Sequence, residues 1–382
     1  MSLHAGIMSG TSLDGVDVAF ADIVLEDADP ARPRFVVRLV AWGSLPYPDD
    51  LRERVQAVRQ GHPVPVAEIC GLHVDLAEIY ADAVAQIAAT HGISLSDVTA
   101  IGLHGQTVWH APPSSGRLPP ATLQLGQPAV LAERLGVPTV SDFRARDMAA
   151  GGEGAPLVPF ADYVLLASSD EDRVALNLGG IANVTYLRAG GSLDDLIAFD
   201  TGPGNLVMDG LAQSLLGTPH DADGALAAQG LPNEVLLADL LRHPYFALPP
   251  PKSTGAELFS AAYAADLCRR GAHLSPADLM ATACRLTSDS IARALRDFLP
   301  RLPRRLIVSG GGTRNRALLA LLAQTLPGIP VDTSDAFGIP LAAKEALAFA
   351  LLAAAHRHSL PANVPRVTGA RGPRLLGSLT LP

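Results

Sequence analysis

The sequence predicts an α/β protein built from two similar halves. Predicted strands and helices alternate along the 382 residues, and each half opens with two strands joined by a glycine-rich turn, "GIMSGTSLDGVDVAF" at 6–20 and "RVALNLGGIANVTYL" at 173–187. A chain of this length can form two domains with separate hydrophobic cores. We therefore expect two α/β halves that face a cleft.

Composition narrows the classes of function. The formal net charge is −9, so no nucleic-acid partner is expected. The 3 cysteines form no CxxC pair, which is typical of reduced residues in a cytoplasmic protein. No basic region precedes an apolar stretch at the N-terminus, and the longest apolar run, "ALAFALLAAA" at 346–355, is too short to span a bilayer. We expect a cytoplasmic protein without a membrane segment.

Hydrophobic patterns predict the elements around the glycine-rich turns. Strands are predicted at 3–8, 16–25 and 35–43, and residues 98–110 are predicted as one strand that ends in a polar loop. A final helix at about 340–358 is apolar on most faces, so we expect it to be buried. The glycine- and proline-rich segment 148–159 is predicted as the crossing point between the halves.

The first turn has the properties of a phosphate-binding loop. Such a loop needs exposed backbone N–H groups, small side chains and hydroxyl donors. Four residues meet this description: Ser9, Gly10, Thr11 and Ser12. Asp14 or Asp17 would then hold Mg²⁺, directly or through water. A plain hairpin turn with polar residues is the alternative.

Three further turns follow apolar strands, at 177–180, 201–205 and 309–313. Ligands of α/β proteins gather at such strand ends. One glycine-rich turn says little, but four in one chain indicate a nucleotide cleft. The chain has no GxxxxGK[ST] motif, so it is not a P-loop protein, and no GxGxxG follows the first strand, which disfavours a dinucleotide fold.

Six motifs together resemble the anhydro-N-acetylmuramic acid kinase family: "GIMSGTSLDGVDVA", "GLHGQTVWH", "LNLGGIANVT", "FDTGPGN", "PKSTGAELF" and "GGGTRN". The resemblance implies the fold of sugar kinases, actin and Hsp70-type ATPases. That fold has two RNase H-like domains, with mixed sheets flanked by helices, facing a central nucleotide cleft. Residues 1–135 with 340–382 are expected to form the sugar-side domain, which carries the first phosphate loop, and residues 136–339 the nucleotide-side domain.

The resemblance also implies a reaction. Water would open 1,6-anhydro-N-acetylmuramic acid while ATP, with Mg²⁺, phosphorylates O6, giving N-acetylmuramic acid 6-phosphate and ADP in cell-wall recycling. The expected partners are the amino sugar and ATP, and a homodimer is left open. A nucleotide-gated ATPase switch of the actin or Hsp70 type is the alternative, and a kinase for a different amino sugar is a third hypothesis. A switch needs no sugar pocket, so a polar pocket in the first half would favour a kinase.

Candidate nucleotide-binding residues come from the four turns. They are Ser9, Gly10, Thr11, Ser12, Leu13, Asp14, Gly15, Val16, Asn177, Gly179, Gly180, Gly202, Gly204, Asn205, Gly310, Gly311, Gly312 and Asn315. Asp200 ends the apolar strand "LIAF", and the resemblance implies that it is the catalytic base. The alternative for Asp200 is that it caps the following helix.

Candidate sugar-binding residues are polar groups placed at strand ends or among apolar residues: His104, Gln106, Gln124, Asp142, Arg144 and Glu345. Arg144 can form a two-bond pair with the lactyl carboxylate, and the alternative is a local ion pair with Asp142. His104 could instead be an ordinary hydrogen-bonded histidine. Glu345 is expensive to bury unless it faces a polar site, and the alternative is a solvated pair with Lys344. Lys252 lies in a family-like motif but receives no role.

Overall fold

The computed structural model describes residues 2–10 and 13–382. The strands are β1 (Leu3–Met8), β2 (Gly15–Asp27), β3 (Arg34–Pro46), β4 (Val98–Leu103), β5 (Gln106–Ala111), β6 (Ala121–Leu125), β7 (Thr139–Ser141), β8 (Arg173–Leu178), β9 (Ile181–Leu187), β10 (Ile197–Pro203), β11 (Arg305–Ser309), β12 (Val331–Thr333) and β13 (Ser378–Thr380). The helices are α1 (Asp49–Arg59), α2 (Val66–Thr90), α3 (Pro128–Leu135), α4 (Phe143–Ala149), α5 (Val158–Leu166), α6 (Leu206–Leu216), α7 (Glu234–Leu240), α8 (Ala261–Arg270), α9 (Pro276–Phe298), α10 (Arg316–Thr325), α11 (Lys344–Arg357) and α12 (Pro365–Thr368).

The chain forms two compact units. Unit 1 comprises Met1–Leu165, Ser192–Asp194 and Gly338–Pro382, and unit 2 comprises Leu166–Gly191 and Asp195–Phe337. Each unit has its own apolar core. In unit 1 the core includes Phe20, Leu76 and Tyr80, and in unit 2 it includes Tyr186, Phe259 and Met280.

The main sheets of the two units have the same strand pattern. In unit 1 the order is β13-β7-β4-β1-β2-β3, and in unit 2 it is β10-β9-β8-β11-β12. In both, three consecutive antiparallel strands are followed by two strands that run parallel to the first. This order, 3-2-1-4-5 with the second strand antiparallel, is the RNase H-like sheet. The predicted fold of mixed sheets flanked by helices is therefore confirmed.

The boundary between the units differs from the predicted one. The sequence predicts that residues 136–165 belong to the second domain, with a crossing point at 148–159, but the structure has them in unit 1. The reason is that β7 pairs in parallel with β4 and antiparallel with β13, which ties this segment to the first sheet. Such pairing joins residues far apart in sequence, so no local pattern reveals it. The predicted return near residue 340 lies close to Gly338.

The predicted strand at 98–110 is two strands. The chain turns at His104 and Gly105, and Gly105 has a φ of 75°. β4 then belongs to the six-stranded sheet, whereas β5 pairs with β6 in a separate hairpin. The turn places polar side chains directly after a buried strand, where the candidate sugar-binding residues begin.

Helix α11 lies directly on the sheet of unit 1, over a pair of glycines. Gly6 of β1 and Gly102 of β4 are register partners. A Cβ atom on Gly6 would lie 1.9 Å from the carbonyl oxygen of Ala346, and one on Gly102 would lie 2.0 Å from that of Phe349. The helix is buried on nearly all faces, as the sequence predicts. No helix in the described part of the chain is long and apolar enough to cross a membrane.

The glycine pair gives a stability prediction. Gly102→Ala should lower the free energy of unfolding by about 1–3 kcal/mol, because the new methyl group forces α11 away from the sheet. Gly71→Ala is the matched control: Gly71 lies inside α2, and its added Cβ would meet only Arg54 Nη2 at 3.7 Å. For Gly71→Ala we expect the free energy of unfolding to rise by roughly 0.5–1 kcal/mol, because alanine favours the helix over glycine. Urea denaturation followed by circular dichroism measures both, and equal effects would contradict the role given to the close packing.

Candidate active site

Side chains of α2 and β5 form hydrogen bonds with the loop between β1 and β2. Ser9 is buried, and its Oγ lies 2.9 Å from Tyr80 Oη of α2. Gln106 Nε2 donates to the carbonyl of Gly10 at 3.2 Å, and Gln106 Oε1 accepts from Tyr47 Oη at 3.3 Å. Gln106 was predicted as a sugar contact, but both ends of its buried amide support the loop. Its contribution to a site is therefore to position the loop backbone.

The second part of the loop leads into β2. Leu13 has a left-handed backbone with a φ of 58° and a buried side chain. The carbonyl of Asp14 accepts from Tyr47 N at 3.2 Å, while its side chain is exposed. Gly15 begins β2, and Val16 is buried in the core. The predicted contacts of Thr11 and Ser12 lie outside the described residues.

Asp14 and Asp17 are the predicted magnesium ligands. Asp17 accepts a hydrogen bond from Ser44 Oγ on the neighbouring strand. Burial raises the pKa of Asp17, the Ser44 bond opposes this, and the charge of Asp14 adds to it. Residues 2–10 and 13–382 contain no group of three or more His, Cys, Asp or Glu side chains that could hold a metal. A pair of carboxylates still fits Mg²⁺, because this ion keeps several waters and takes its other ligands from substrate phosphates.

The buried His104 and the half-buried Arg144 form a hydrogen-bonded pair. Arg144 donates from Nε at 3.1 Å and from Nη2 at 3.0 Å to His104 Nε2, and from Nη1 at 2.9 Å to the carbonyl of Gly154. Burial and the charge of Arg144 hold the pKa of His104 well below its usual value, partly offset by the nearby backbone of Gly105 and Ser9. His104 is therefore neutral, and because Nε2 accepts, its hydrogen is on Nδ1. Nδ1 therefore carries the hydrogen that faces the backbone of Gly105 and Ser9, although no hydrogen bond of ordinary geometry engages it in the described structure.

Arg144 keeps its charge in this setting. Burial lowers its pKa to about 10, and the charge of Glu345 opposes that change. The predicted alternative, an ion pair with Asp142, is not formed within the described residues. Asp142 instead adopts a left-handed backbone with a φ of 60°, is exposed, and accepts from Ser141 Oγ at 3.2 Å. Two of the five guanidinium N–H groups therefore remain for a ligand, one on each terminal nitrogen.

Gln124 lies in β6 and is half-buried. Its Nε2 donates to Thr122 Oγ1 at 2.8 Å and to Thr107 Oγ1 at 3.3 Å. These contacts fix the plane of the amide on the β5–β6 hairpin, so a ligand would meet its carbonyl oxygen.

Glu345 and Lys344 begin helix α11 and do not form the predicted solvated pair. Lys344 is buried, with Nζ 2.7 Å from Asp162 Oδ1. Part of the Glu345 side chain is exposed to solvent. The surrounding protein atoms still remove enough water from its carboxylate to raise its pKa. Lys344 and Arg144 lower that pKa and Asp17 raises it. Glu345 thus shares an electrostatic environment with both the metal candidate Asp17 and the sugar candidate Arg144.

Asp147 is a supporting residue that the sequence did not reveal. It is fully buried, and Oδ1 accepts from Asn363 Nδ2 and from Thr368 Oγ1, both at 2.9 Å. Its Oδ2 accepts from the backbone N–H of Gly154 at 2.9 Å. The carbonyl of Gly154 accepts a hydrogen bond from Arg144, so Asp147 positions the guanidinium indirectly through Gly154. The only sequence signal is its place one turn after Arg144 on α4.

Asp147→Ala should destabilise the protein strongly, because buried N–H groups of Asn363 and Gly154 lose their charged acceptor and the hydroxyl of Thr368 keeps only the carbonyl of Val364. At roughly 1–3 kcal/mol for each unsatisfied buried group, a loss of about 3 kcal/mol or more is expected. Asp82→Ala is the control, since Asp82 pairs with Arg134 on the surface and should cost less than about 1 kcal/mol. Thermal and urea unfolding measure both variants. A change at Asp147 no larger than that at Asp82 would show that the three bonds do not hold the segment.

In unit 2 the glycine-rich turns pack backbone against backbone. Gly204 N donates to the carbonyl of Gly180 at 2.9 Å, and Asn205 N donates to that of Gly179 at 2.9 Å. A Cβ atom on Gly204 would lie 2.3 Å from the Gly179 oxygen, so only glycine fits there. The side chain of Asn205 donates to the carbonyl of Leu178 at 3.2 Å. These contacts join the β8–β9 turn to the end of β10.

The third turn of unit 2 combines packing glycines with an open one. Added Cβ atoms on Gly310 and Gly312 would lie 2.5 Å from Asn177 Oδ1 and 2.7 Å from Leu178 Cβ, whereas one on Gly311 would meet no atom within 4 Å. Gly311 therefore offers bare backbone to a ligand. Asn315 Oδ1 accepts from Leu318 N at 2.9 Å and caps α10, so its side chain serves the fold and any nucleotide contact would come from its backbone.

Asp200 lies in the middle of β10 at a β-bulge, so the strand does not end at Asp200 as predicted but continues to Pro203. Its carboxylate Oδ2 accepts from Ser253 Oγ at 3.1 Å and from Thr254 N at 2.9 Å. Helix α6 begins six residues later with Asn205 as its N-cap, so the alternative that Asp200 caps that helix is wrong. A loop distant in sequence holds the carboxylate instead.

The environment of Asp200 suits a general base. Burial raises its pKa to about 6, while the bonds from Thr254 and Ser253 lower it, Glu257 raises it and Lys252 lowers it. At neutral pH the group is mostly ionised, yet its proton affinity is well above that of an ordinary aspartate. A carboxylate of this kind can accept a proton from a water or a hydroxyl group.

Comparison with known proteins finds similar chains along the whole length. The family model described as anhydro-N-acetylmuramic acid kinase matches residues 2–382. The protein of that name from Gloeobacter violaceus is 50% identical over 369 residues, which cover 97% of this chain and 96% of the relative. The one from Salinibacter ruber is 45% identical over 384 residues, covering 99% and 96%. The one from Xanthomonas campestris is 44% identical over 378 residues, covering 99% and 97%.

Proposed function

Since the chain belongs to the anhydro-N-acetylmuramic acid kinase family, we propose that it opens 1,6-anhydro-N-acetylmuramic acid with water and transfers the γ-phosphoryl group of ATP to O6. The products are N-acetylmuramic acid 6-phosphate and ADP, which suits a cytoplasmic enzyme of cell-wall recycling. Family membership does not favour the ATPase switch.

The observation that carries this proposal is the Asp200 carboxylate, with its pKa raised to about 6 by burial. In an ordinary sugar kinase the base removes a proton from the acceptor hydroxyl. Here O6 has no proton, because it is part of the anhydro bridge. Asp200 instead takes one proton from water as the water oxygen bonds to C1. The C1–O6 bond breaks, O6 bonds to the γ-phosphorus, and ADP leaves.

The sugar is assigned to the polar groups of unit 1. Arg144 has one N–H left on each terminal nitrogen after it binds His104 and Gly154. Two such donors match the two oxygens of the lactyl carboxylate. His104 is assigned to the same region of the sugar, because its neutral imidazole orients the guanidinium of Arg144. The exposed carboxylates of Asp142 and Glu345 are acceptors for hydroxyl groups.

The nucleotide is assigned to the glycine-rich turns. The loop that begins at Ser9 and Gly10 would donate backbone N–H groups to phosphate, and the bare backbone of Gly311 would lie against the nucleoside. Asp14 and Asp17 would hold Mg²⁺, which supplies positive charge to offset the phosphates when bound.

Asp200→Asn tests the base. Asn keeps an acceptor for Ser253 and Thr254 but cannot take a proton, so kcat should fall roughly 10²- to 10⁴-fold while ATP and sugar bind about normally. In H₂¹⁸O the wild-type product should carry label at C1 and none at O6, as mass spectrometry of fragments can show. Label in the phosphate would mean that water attacks ATP, and a sugar-independent ATPase would favour the switch.

The same variant separates loss of chemistry from loss of fold. Because the folded-state pKa of Asp200 lies above its ordinary value of 3.8, the folded chain binds this proton more tightly than the unfolded chain. Its stabilising contribution is present below pH 4 or so and is lost as the pH rises through about 6. At pH 7 Asp200→Asn should therefore unfold at the same temperature as the wild type or higher.

Arg144→Lys tests recognition of the carboxylate. Lysine keeps the charge but loses the planar pair of donors, so KM for the muramic sugar should rise roughly 10-fold or more with little change in KM for ATP. Arg146→Lys is the control, because Arg146 is exposed on the same helix. A wild-type KM in Arg144→Lys would mean that the carboxylate is read elsewhere.

A further inference from the structure

We propose that Lys252 is a positioning residue for this reaction: its ammonium group anchors the segment 251–254 on three aromatic rings, and that segment holds Asp200 Oδ2 so that Oδ1 receives the proton from water. The inference rests on the proposed function of Asp200. It assigns a role to a motif, "PKSTGAELF", that neither the glycine-rich turns nor the sugar contacts use.

The segment and β10 are joined at three points around Asp200. The backbone N–H of Asp200 donates to the carbonyl of Lys252 at 3.2 Å. Ser253 Oγ and Thr254 N then both donate to Oδ2, at 3.1 and 2.9 Å. Oδ1 accepts no hydrogen bond from the described residues. The carboxylate is thus fixed through one oxygen, and the other is left for the reactant.

Lys252 closes a ring of contacts with Tyr245 and Asp200. Lys252 Nζ donates to the carbonyl of Tyr245 at 3.3 Å, and Tyr245 Oη donates to the carbonyl of Asp200 at 2.7 Å. With the bond from Asp200 N to the carbonyl of Lys252, these three hydrogen bonds connect Lys252, Tyr245 and Asp200 in a closed ring. Removal of the ammonium group opens this ring at one point and leaves the segment attached to β10 only beside the carboxylate itself.

The ammonium group is also held by aromatic faces. Nζ lies 4.6 Å from the ring centroid of Phe298, 4.8 Å from that of Tyr245 and 5.7 Å from that of Phe199. Contacts of a cation with ring faces are favourable and become stronger as water is excluded. Phe199 immediately precedes Asp200 in β10, so the same cation contacts the strand that carries the base.

A charge at this position is costly, which argues against a purely structural lysine. Burial and Arg293 lower the pKa of Lys252 to about 8, whereas Asp200 and Asp297 raise it. Glu257 also raises the pKa of Asp200, and burial, Asp200 and Glu257 together raise the pKa of Tyr245. A methionine would fill the same space without the cost of the charge.

Lys252→Met tests the role, because it keeps the apolar stem and removes the cation. With less fixation and no positive charge beside Asp200, kcat should fall roughly 10- to 100-fold, with KM values for ATP and sugar little changed. The acid limb of the kcat/KM profile, expected near pH 6, should move to higher pH. Lys252→Arg keeps a cation that stacks on rings, so it should restore most of kcat and the position of the acid limb.

Two controls separate the role of Lys252 from a general loss of positive charge and from the role of Asp200 as the base. Arg242→Met removes a highly exposed cation of unit 2 and should leave the profile unchanged. Asp200→Asn, measured in parallel, tests the base itself: an active Asn variant would defeat the proposed function. An inactive Asn variant together with a wild-type kcat and acid limb in Lys252→Met would overturn only the role of Lys252. A Lys252→Met variant that lowers the unfolding temperature without moving the acid limb would also overturn it, as would Arg failing to restore the profile.

Discussion

The close approach of helix α11 to two neighbouring strands governs the site of unit 1. Because Gly6 and Gly102 present no side chains, the carbonyls of Ala346 and Phe349 lie directly over β1 and β4. The strand β1 leads into the first loop, and β4 leads into His104. The first turn of the helix carries Lys344 and Glu345. One contact between backbones therefore sets the position of the loop, the buried histidine and the acidic residue at once.

Burial then determines the charge state of each group. The Phe349 ring lies 4.8 Å from the His104 ring, and the imidazole stays neutral because it is buried beside the Arg144 cation. In unit 2, burial gives Asp200 its raised pKa, while Lys252 and two hydrogen bonds limit that rise. Desolvation alone would raise this pKa further, and a fully solvated carboxylate would be a weaker base. The intermediate value comes from opposing contributions.

The features that the sequence predicts are local ones. The strand–turn–strand units and the buried final helix follow from patterns of about ten residues, and the structure has them, whereas the strand of Asp200 continues past the predicted end to Pro203. The contacts of Gln106 with the first loop, of Asp147 with Thr368, and of Ser253 with Asp200 join residues 53 to 221 positions apart. No periodicity encodes such pairs. For the same reason the sequence pattern does not show that residues 136–165 belong to unit 1.

The motif "FDTGPGN" shows how one run of residues divides its tasks. Gly204 permits the approach of a neighbouring carbonyl, Asn205 binds Leu178, and Thr201 Oγ1 donates to the carbonyl of Ala182 at 3.1 Å. These three contacts are all made within the protein and stabilise the fold. Asp200 carries the only ionisable group of the motif, and its Oδ1 accepts no hydrogen bond from the described residues. A motif of seven residues thus supplies one chemically available group, and the other residues make its position reproducible.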